Sequence, residues 1–218
     1  MKRISLFVLF ICTIFSYLSA QTGKENERIK QNYIRSIIGM DEEKQPYLQL
    51  LSKIPPEKEV SDQNVIELQQ LYPIRHEEIH RLISTIRGDG SWPDINYADT
   101  KRSGWEPKQH TERILKLTKY YAREQENVSA QEISAVVSII HQAMKYWFVQ
   151  KPVCKNWWYN QIGIPRTLGP AFLLFETEMT EKEKQEAIRV MEQSQFGMTG
   201  QNKVWLAGNV LIRGLLLN

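Results

Sequence analysis

The chain has 218 residues, with 28 basic side chains against 25 acidic ones and a formal charge of +3. That length supports one sizeable domain, and so small a basic excess does not mark a nucleic-acid binder. Of two cysteines, Cys12 and Cys154, only the second lies outside the N-terminal apolar run, so no intramolecular disulfide is expected in the mature chain.

Lys2 and Arg3 precede an apolar stretch from Ile4 to Leu18 that ends in Ser19-Ala20-Gln21. A basic start, an apolar middle and a small residue before the cut describe a signal peptide over residues 1–20, cleaved after Ala20. The run is short for a membrane span, which needs ~20 apolar residues. Cys12 lacks the preceding small residues of a lipoprotein site, so no lipid anchor is expected. The mature chain, 21–218, is predicted to be exported to the periplasm or beyond, without membrane contact. Cys154 is expected to be a buried, inert thiol.

Helical spacing of Ile29, Tyr33 and Ile37 predicts a helix from about Glu25 to Ile38. The segment Pro46 to Lys58, with Pro46, Pro55 and Pro56, reads as irregular. Ser61 and Asp62 are candidate caps for a helix carrying Val65, Leu68 and Leu71. Pro73 interrupts it, and a further run carries Ile79, Leu82, Ile83 and Ile86. Gly88 to Asp94 is a loop by its glycines and proline; Trp92 and Tyr97 near it serve either a cleft or the core.

A helix is predicted from about Pro107 to Ala122, with Ile114, Leu117 and Tyr121 on one face. Ser129 to Glu132 has the spacing of a capping box and opens a run with Ile133, Val136, Val137, Ile140, Met144 and Trp147 at amphipathic period. Asn156 to Gly169 holds the adjacent pair Trp157 and Trp158, then Gly163, then Pro165 at the expected first turn of a helix reaching about Glu176. Thr180 to Glu183 is a second capping box, before Ala187, Val190 and Met191. A last helix runs from about Lys203 to the end. Its apolar close, Val210 to Asn218, is expected to be matched by a further segment, because contiguous apolar surface usually has a partner. No run alternates with strand period, so the class is all-α, built of helical hairpins.

His76-Glu77-Glu78-Ile79-His80 fits H-E-x-x-H, which on a helix sets two histidines on one face for zinc, with Glu77 as base of a metalloprotease. Three features speak against it. Glu78 is charged, Ile83 and Ile86 stand where a longer zinc motif carries Gly and His, and no downstream helical Glu is placed as third ligand. A solvated helix face is the reading preferred. His110 and His141 stand alone and are expected at the surface or satisfied in the core.

Adjacent residues point about 100° apart on a helix and to opposite faces on a strand, so Trp157 and Trp158, placed just before a helix, are not expected to be buried as one block. A flat indole facing outwards is what the apolar face of a sugar ring stacks on; the competing reading packs a tryptophan under a helix N-terminus. Asn160 either bonds a sugar or caps.

The Asn156-Trp157-Trp158 stretch resembles the Asn-Trp-Trp segment of the polysaccharide lyase family that contains hyaluronate lyase, chondroitin AC lyase and xanthan lyase. Thr199-Gly200-Gln201-Asn202-Lys203-Val204, followed by Arg213-Gly214, is similar to a second motif of that family, and Gly88 to Trp92 to one of its turns. The resemblance covers about Trp92 to Asn218. It implies an (α/α) toroid, here incomplete and without the β-sandwich domain. It also implies an anionic polysaccharide substrate of chondroitin or hyaluronan type, β-elimination as the reaction, and no cofactor. Trp157 and Trp158 become the aromatic patch, Phe196 a third aromatic, and Asn202 the amide that neutralises the uronate carboxylate. Taken locally, Asn202 is a cap for the last helix. The resemblance further implies a His and a Tyr after this Asn as the acid–base pair. None follows Asn202 here, so the chain is expected to be inactive by itself, completed, if at all, by a missing C-terminal part.

Overall fold

A computed structural model describes residues 23–38 and 76–217. The predicted signal peptide, the Pro46 to Lys58 segment and the helix carrying Val65, Leu68 and Leu71 lie outside the described residues. Those described form helices joined by loops, with no strand among them. Helix α1 covers residues 23–38, α2 His76–Thr85, α3 Lys108–Glu124 and α4 Ala130–Gln150. A single π-helical turn, Tyr159–Gly163, leads into α5, Ile164–Phe175; α6, Glu181–Met191, and α7, Gly200–Leu216, complete the order.

Side-chain pairs fix the directions. Tyr120 bonds Glu132 at one end of the α3–α4 pair, and His110 bonds the Ala143 carbonyl towards the other, so the two helices are antiparallel. Tyr159 reaches Gly104 just before α3, and Tyr121 meets Phe175 at the far ends of α3 and α5, so those two run parallel. Trp158 meets Trp205, and Gly169 faces Ile212 further on, which makes α7 parallel to α5. Helices α3, α5 and α7 therefore stand side by side in one layer, and α4 and α6 return behind them. Ile114, Ile140, Leu168, Phe172 and Met191 fill the space between the layers, each 0% exposed. Complete burial of such a side chain contributes ~1.5–3 kcal/mol, far more than helix propensity supplies.

Of the two capping boxes expected among the described residues, one forms in full and the other by half. Thr180 accepts the Glu183 N–H while the Glu183 carboxylate accepts the Thr180 N–H, a complete capping box. Ser129 accepts the Glu132 N–H at 3.2 Å, but the Glu132 carboxylate turns away to the Tyr120 hydroxyl. Only half of the predicted box forms there, because a tertiary partner competes for the carboxylate.

The Gly88 to Asp94 loop is a plug in the core, which decides the two readings of its aromatics. Gly90 has φ +91°, and a Cβ there would lie 2.2 Å from the Gln142 carbonyl oxygen of α4; only glycine allows that approach. Trp92 is 0% exposed, and its indole N–H donates to the Leu82 carbonyl at 3.1 Å. The Tyr97 hydroxyl accepts the Trp92 N–H at 3.0 Å and pairs with His110 Nδ1 at 2.9 Å. His110 Nε2 meets the Ala143 carbonyl, also at 2.9 Å. A neutral ring satisfies this chain, with Nε2 donating to Ala143 and Nδ1 accepting from Tyr97. Burial drives the His110 pKa down to about 4. Trp92 and Tyr97 thus serve packing, and His110 is a satisfied core histidine.

Candidate functional site

The helix at the tryptophan pair starts earlier than Pro165 suggests. The Asn156 side-chain oxygen accepts the Trp158 N–H at 3.1 Å, and Trp157 and Trp158 are already helical. The asparagine cap moves the start about two turns upstream, so the tryptophans belong to the helix instead of preceding it. Between them and α5 the backbone widens, with the Ile164 N–H bonding the Tyr159 carbonyl. Pro165 then sits inside a continuous helix, where its missing N–H leaves the Gln161 carbonyl without its usual partner. The Ser194 hydroxyl donates to that carbonyl at 2.5 Å.

Being adjacent on a helix, the two tryptophans part company. Trp157 is 43% exposed. Trp158 is half-buried and lies over Gly163, where a Cβ would come within 2.7 Å of its ring. Its ring meets Trp205 of α7 edge-to-face, 5.7 Å between centroids. The Arg166 guanidinium lies over the Trp205 ring at 5.0 Å. Tyr159 turns the other way, packing on Trp105 and accepting the Gly104 N–H at 3.2 Å.

Asn160 does local work. Its oxygen accepts the Cys154 N–H at 2.9 Å, and its amide N–H donates to the Cys154 carbonyl at 2.8 Å. This two-way clamp, with the Asn156 N–H₂ on the Arg102 carbonyl, holds the loop before the tryptophans. Cys154 is buried within it, as an inert thiol would be.

Asn202 is not the cap of its helix. Thr199 occupies the N-cap position, and Asn202 lies inside the first turn of α7. Its side chain is half-buried, and its amide makes no hydrogen bond to the described residues. Leu206 and Asn209 share its face at helical spacing and are buried. Asn209 donates to the Ile162 carbonyl at 3.2 Å and to Ser194 Oγ at 2.9 Å, which ties α7 to the π-turn. Phe196 is 68% exposed on the connection between α6 and α7, and its ring meets none of the described aromatic rings.

The structure brings Trp158 and the helix of Asn202 together through Trp205, and it adds Arg166, Trp205, Ser194 and Asn209, which sequence reasoning passed over. Trp205 was within reach of it, since a residue three places after Asn202 neighbours it on the helix surface. Ser194 and Arg166 carry no sequence signal for their roles.

The His76–His80 motif lies elsewhere, at the start of α2. A downstream helical carboxylate does stand near it. Glu132, from α4, sits 3.8 Å from both His76 Nδ1 and His80 Nε2. A spacing search along one helix misses it because it comes from another. Tyr120 occupies the middle of the cluster, donating to Glu132 and meeting His76 Nδ1 at 2.8 Å. Burial first, then the Glu132 hydrogen bond and charge, push the Tyr120 hydroxyl up. Glu78 turns aside to Lys116. Among the described residues no three His, Cys, Asp or Glu side chains are arranged to hold a metal ion. His141, the other lone histidine, pairs with Glu183 at 2.7 Å.

Residues 54–218 match the model of polysaccharide lyase family 8, N terminal alpha-helical domain, so the likeness begins well before Trp92. Chondroitinase-AC of Pedobacter heparinus is 28% identical over 138 residues, 62% of this chain and 19% of that protein. A solved chondroitinase AC lyase superposes with a TM-score of 0.55 at 27% identity, covering 65% of this chain and 21% of that one. A Paenibacillus xanthan lyase gives a TM-score of 0.60 at 16% identity, covering 88% of this chain and 17% of that one; that is a likeness of fold. The chain spans about a fifth of the length of these relatives.

Proposed function

The chain belongs to polysaccharide lyase family 8, through that family's N-terminal α-helical domain, and from this premise we propose that it binds an anionic, uronate-containing polysaccharide of the chondroitin or hyaluronan type. In this reading the family reaction is β-elimination, and the helices are part of an (α/α) toroid. The half-exposed Trp157, with Trp158 behind it and exposed Phe196 as a third aromatic, supplies apolar faces for sugar rings. Asn202 hydrogen-bonds the uronate carboxylate. The observation that carries the reading is the Asn202 amide, which has no hydrogen-bond partner among the described residues and lies on a helix joined to the tryptophans through the Trp158–Trp205 contact.

The chemistry explains why an amide belongs there. In β-elimination the C5 proton leaves to a base, its electron pair forms the C4–C5 double bond, and the C4–O bond breaks as the leaving oxygen takes a proton. Charge builds on the carboxylate as the proton departs, and a positioned N–H donor stabilises it, as at an oxyanion hole. Proton transfer itself needs a base and an acid. No His or Tyr follows Asn202 in these 218 residues. This stretch is therefore assigned binding and charge neutralisation, not proton transfer.

Residues 1–20 are proposed to direct export, so that the polymer is met outside the cytoplasm.

Chondroitin and hyaluronan binding by the 218-residue chain tests the reading, with ultraviolet absorbance of unsaturated uronate as the assay for cleavage. Binding that Trp157→Ala weakens, without cleavage, is the expected result. No binding by the wild-type chain refutes the binding role. Cleavage by this chain alone refutes the division of labour. A purely carbohydrate-binding, non-catalytic protein is the second reading. It requires that adding the C-terminal part of a relative never restores cleavage.

A further inference from the structure

Among the described residues two arginines lie over tryptophan rings, and one of them pairs with a carboxylate there. Arg113 stands 5.2 Å from the Trp92 centroid, and its two terminal nitrogens fork onto Asp94 at 2.7 and 2.6 Å. Arg166 stands 5.0 Å from the Trp205 centroid in the same manner. Its side chain is exposed, and among the described residues no carboxylate pairs with it. The ring beneath it is fixed in turn, since Trp205 meets Trp158 and Trp158 is seated on Gly163. Trp205 is also three residues from Asn202, hence its neighbour on the surface of α7.

We propose that Arg166, oriented by Trp205, is a specificity residue that reads a negative group on the polysaccharide, taking from the ligand the bidentate partner that Asp94 gives Arg113. The inference rests on the polysaccharide-binding reading above and adds to it the residue that selects for charge. A guanidinium stacked on an aromatic face has its planar fork pre-organised. A planar carboxylate or a sulfate ester presents two oxygens to that fork; a neutral hydroxyl does not. Trp157 supplies affinity for any sugar ring, and Arg166 supplies preference for a charged one.

Arg166→Gln and Arg166→Lys in the 218-residue chain test this, with affinity measured for unsulfated chondroitin, chondroitin sulfate and carboxyl-reduced unsulfated chondroitin. A charge-assisted hydrogen bond corresponds to about ten- to hundredfold in affinity. Arg166→Gln should lose that factor on the charged polymers and nothing on the carboxyl-reduced one. Arg166→Lys should recover only part, because the point charge returns without the fork. Loss on both charged polymers identifies the carboxylate as partner, and loss on the sulfated one alone identifies the sulfate. Trp157→Ala should weaken all three polymers alike. Equal binding by wild type and Arg166→Gln overturns the proposal while leaving the binding role standing, and so does an equal loss on the carboxyl-reduced polymer. Should Arg166→Gln fail the circular-dichroism check of folding, Arg166→Lys decides alone, and undiminished affinity there overturns the fork. A wild-type chain that binds none of the polymers removes both readings together.

Discussion

Asn202 and Asn209 lie two turns apart on one face of α7, and replacing each with alanine should give opposite results. Asn209 is 1% exposed, and its single amide nitrogen holds two acceptors, the Ile162 carbonyl at 3.2 Å and Ser194 Oγ at 2.9 Å. A net contribution of ~0.5–1.5 kcal/mol for each bond, with the desolvation cost of buried groups left unmatched, gives about 2–4 kcal/mol for Asn209→Ala. At ~2–4 °C per kcal/mol for a domain of this size, the melting temperature should fall by about 5–15 °C. Asn202 makes no hydrogen bond to the described residues, and it sits where alanine is a good helix former. Asn202→Ala should therefore shift stability by no more than about 0.5 kcal/mol and weaken chondroitin binding by about tenfold, the loss of one hydrogen bond to a charged group. Thermal and urea unfolding followed by circular dichroism, beside a binding titration, read both quantities. If Asn202→Ala destabilises the fold as much as Asn209→Ala does, Asn202 is a structural residue and its assignment to the carboxylate is refuted.

Protonation of His110 should weaken the fold in acid. Its pKa is lowered from 6.5 to about 4, so between these values the unfolded chain binds a proton that the folded chain does not. Stability is complete above pH 6.5 and declines towards pH 4, by about 3 kcal/mol in all. The difference in unfolding free energy between wild type and His110→Gln, followed from pH 7 to 4, should shrink by about that amount; a pH-independent difference would show that His110 is not the group responsible. Gly163→Ala sets a Cβ 2.7 Å from the Trp158 ring. Over-packing of ~1–3 kcal/mol, offset by ~1 kcal/mol of helix propensity, leaves a net loss of up to about 2 kcal/mol. The indole must shift, so tryptophan fluorescence and chondroitin affinity should both change. Unaltered emission and affinity would mean that Trp158 takes no part in the platform.

What was legible in the sequence follows from the range of each interaction. Period and caps are local, so the helices of the described part were readable from runs such as Ile133 to Trp147 and from Thr180 with Glu183. The exceptions arose where a distant residue outbid a near one. Glu132 left its predicted capping partner for Tyr120, and Trp92 and Tyr97 went to the core because Leu82 and His110 wait there to bond them. Pro165 does stand in the first turn of α5, as expected, but the helical path continues upstream of it through the π-turn. A proline signals a helix start because its missing N–H usually does no harm there, but Ser194, far along the chain, repairs the same defect inside a helix. The proposed site divides in the same way. Trp157, Trp158 and Asn202 were visible through contiguous motifs, whereas Arg166 gains its role only from a ring on another helix. Its spacing from Trp158 says nothing, since a lone exposed arginine near a helix start is ordinary. Its meaning comes from a comparison that requires coordinates: Arg113 shows what an arginine over a tryptophan binds in this fold, and Arg166 repeats the arrangement with the carboxylate left to be supplied.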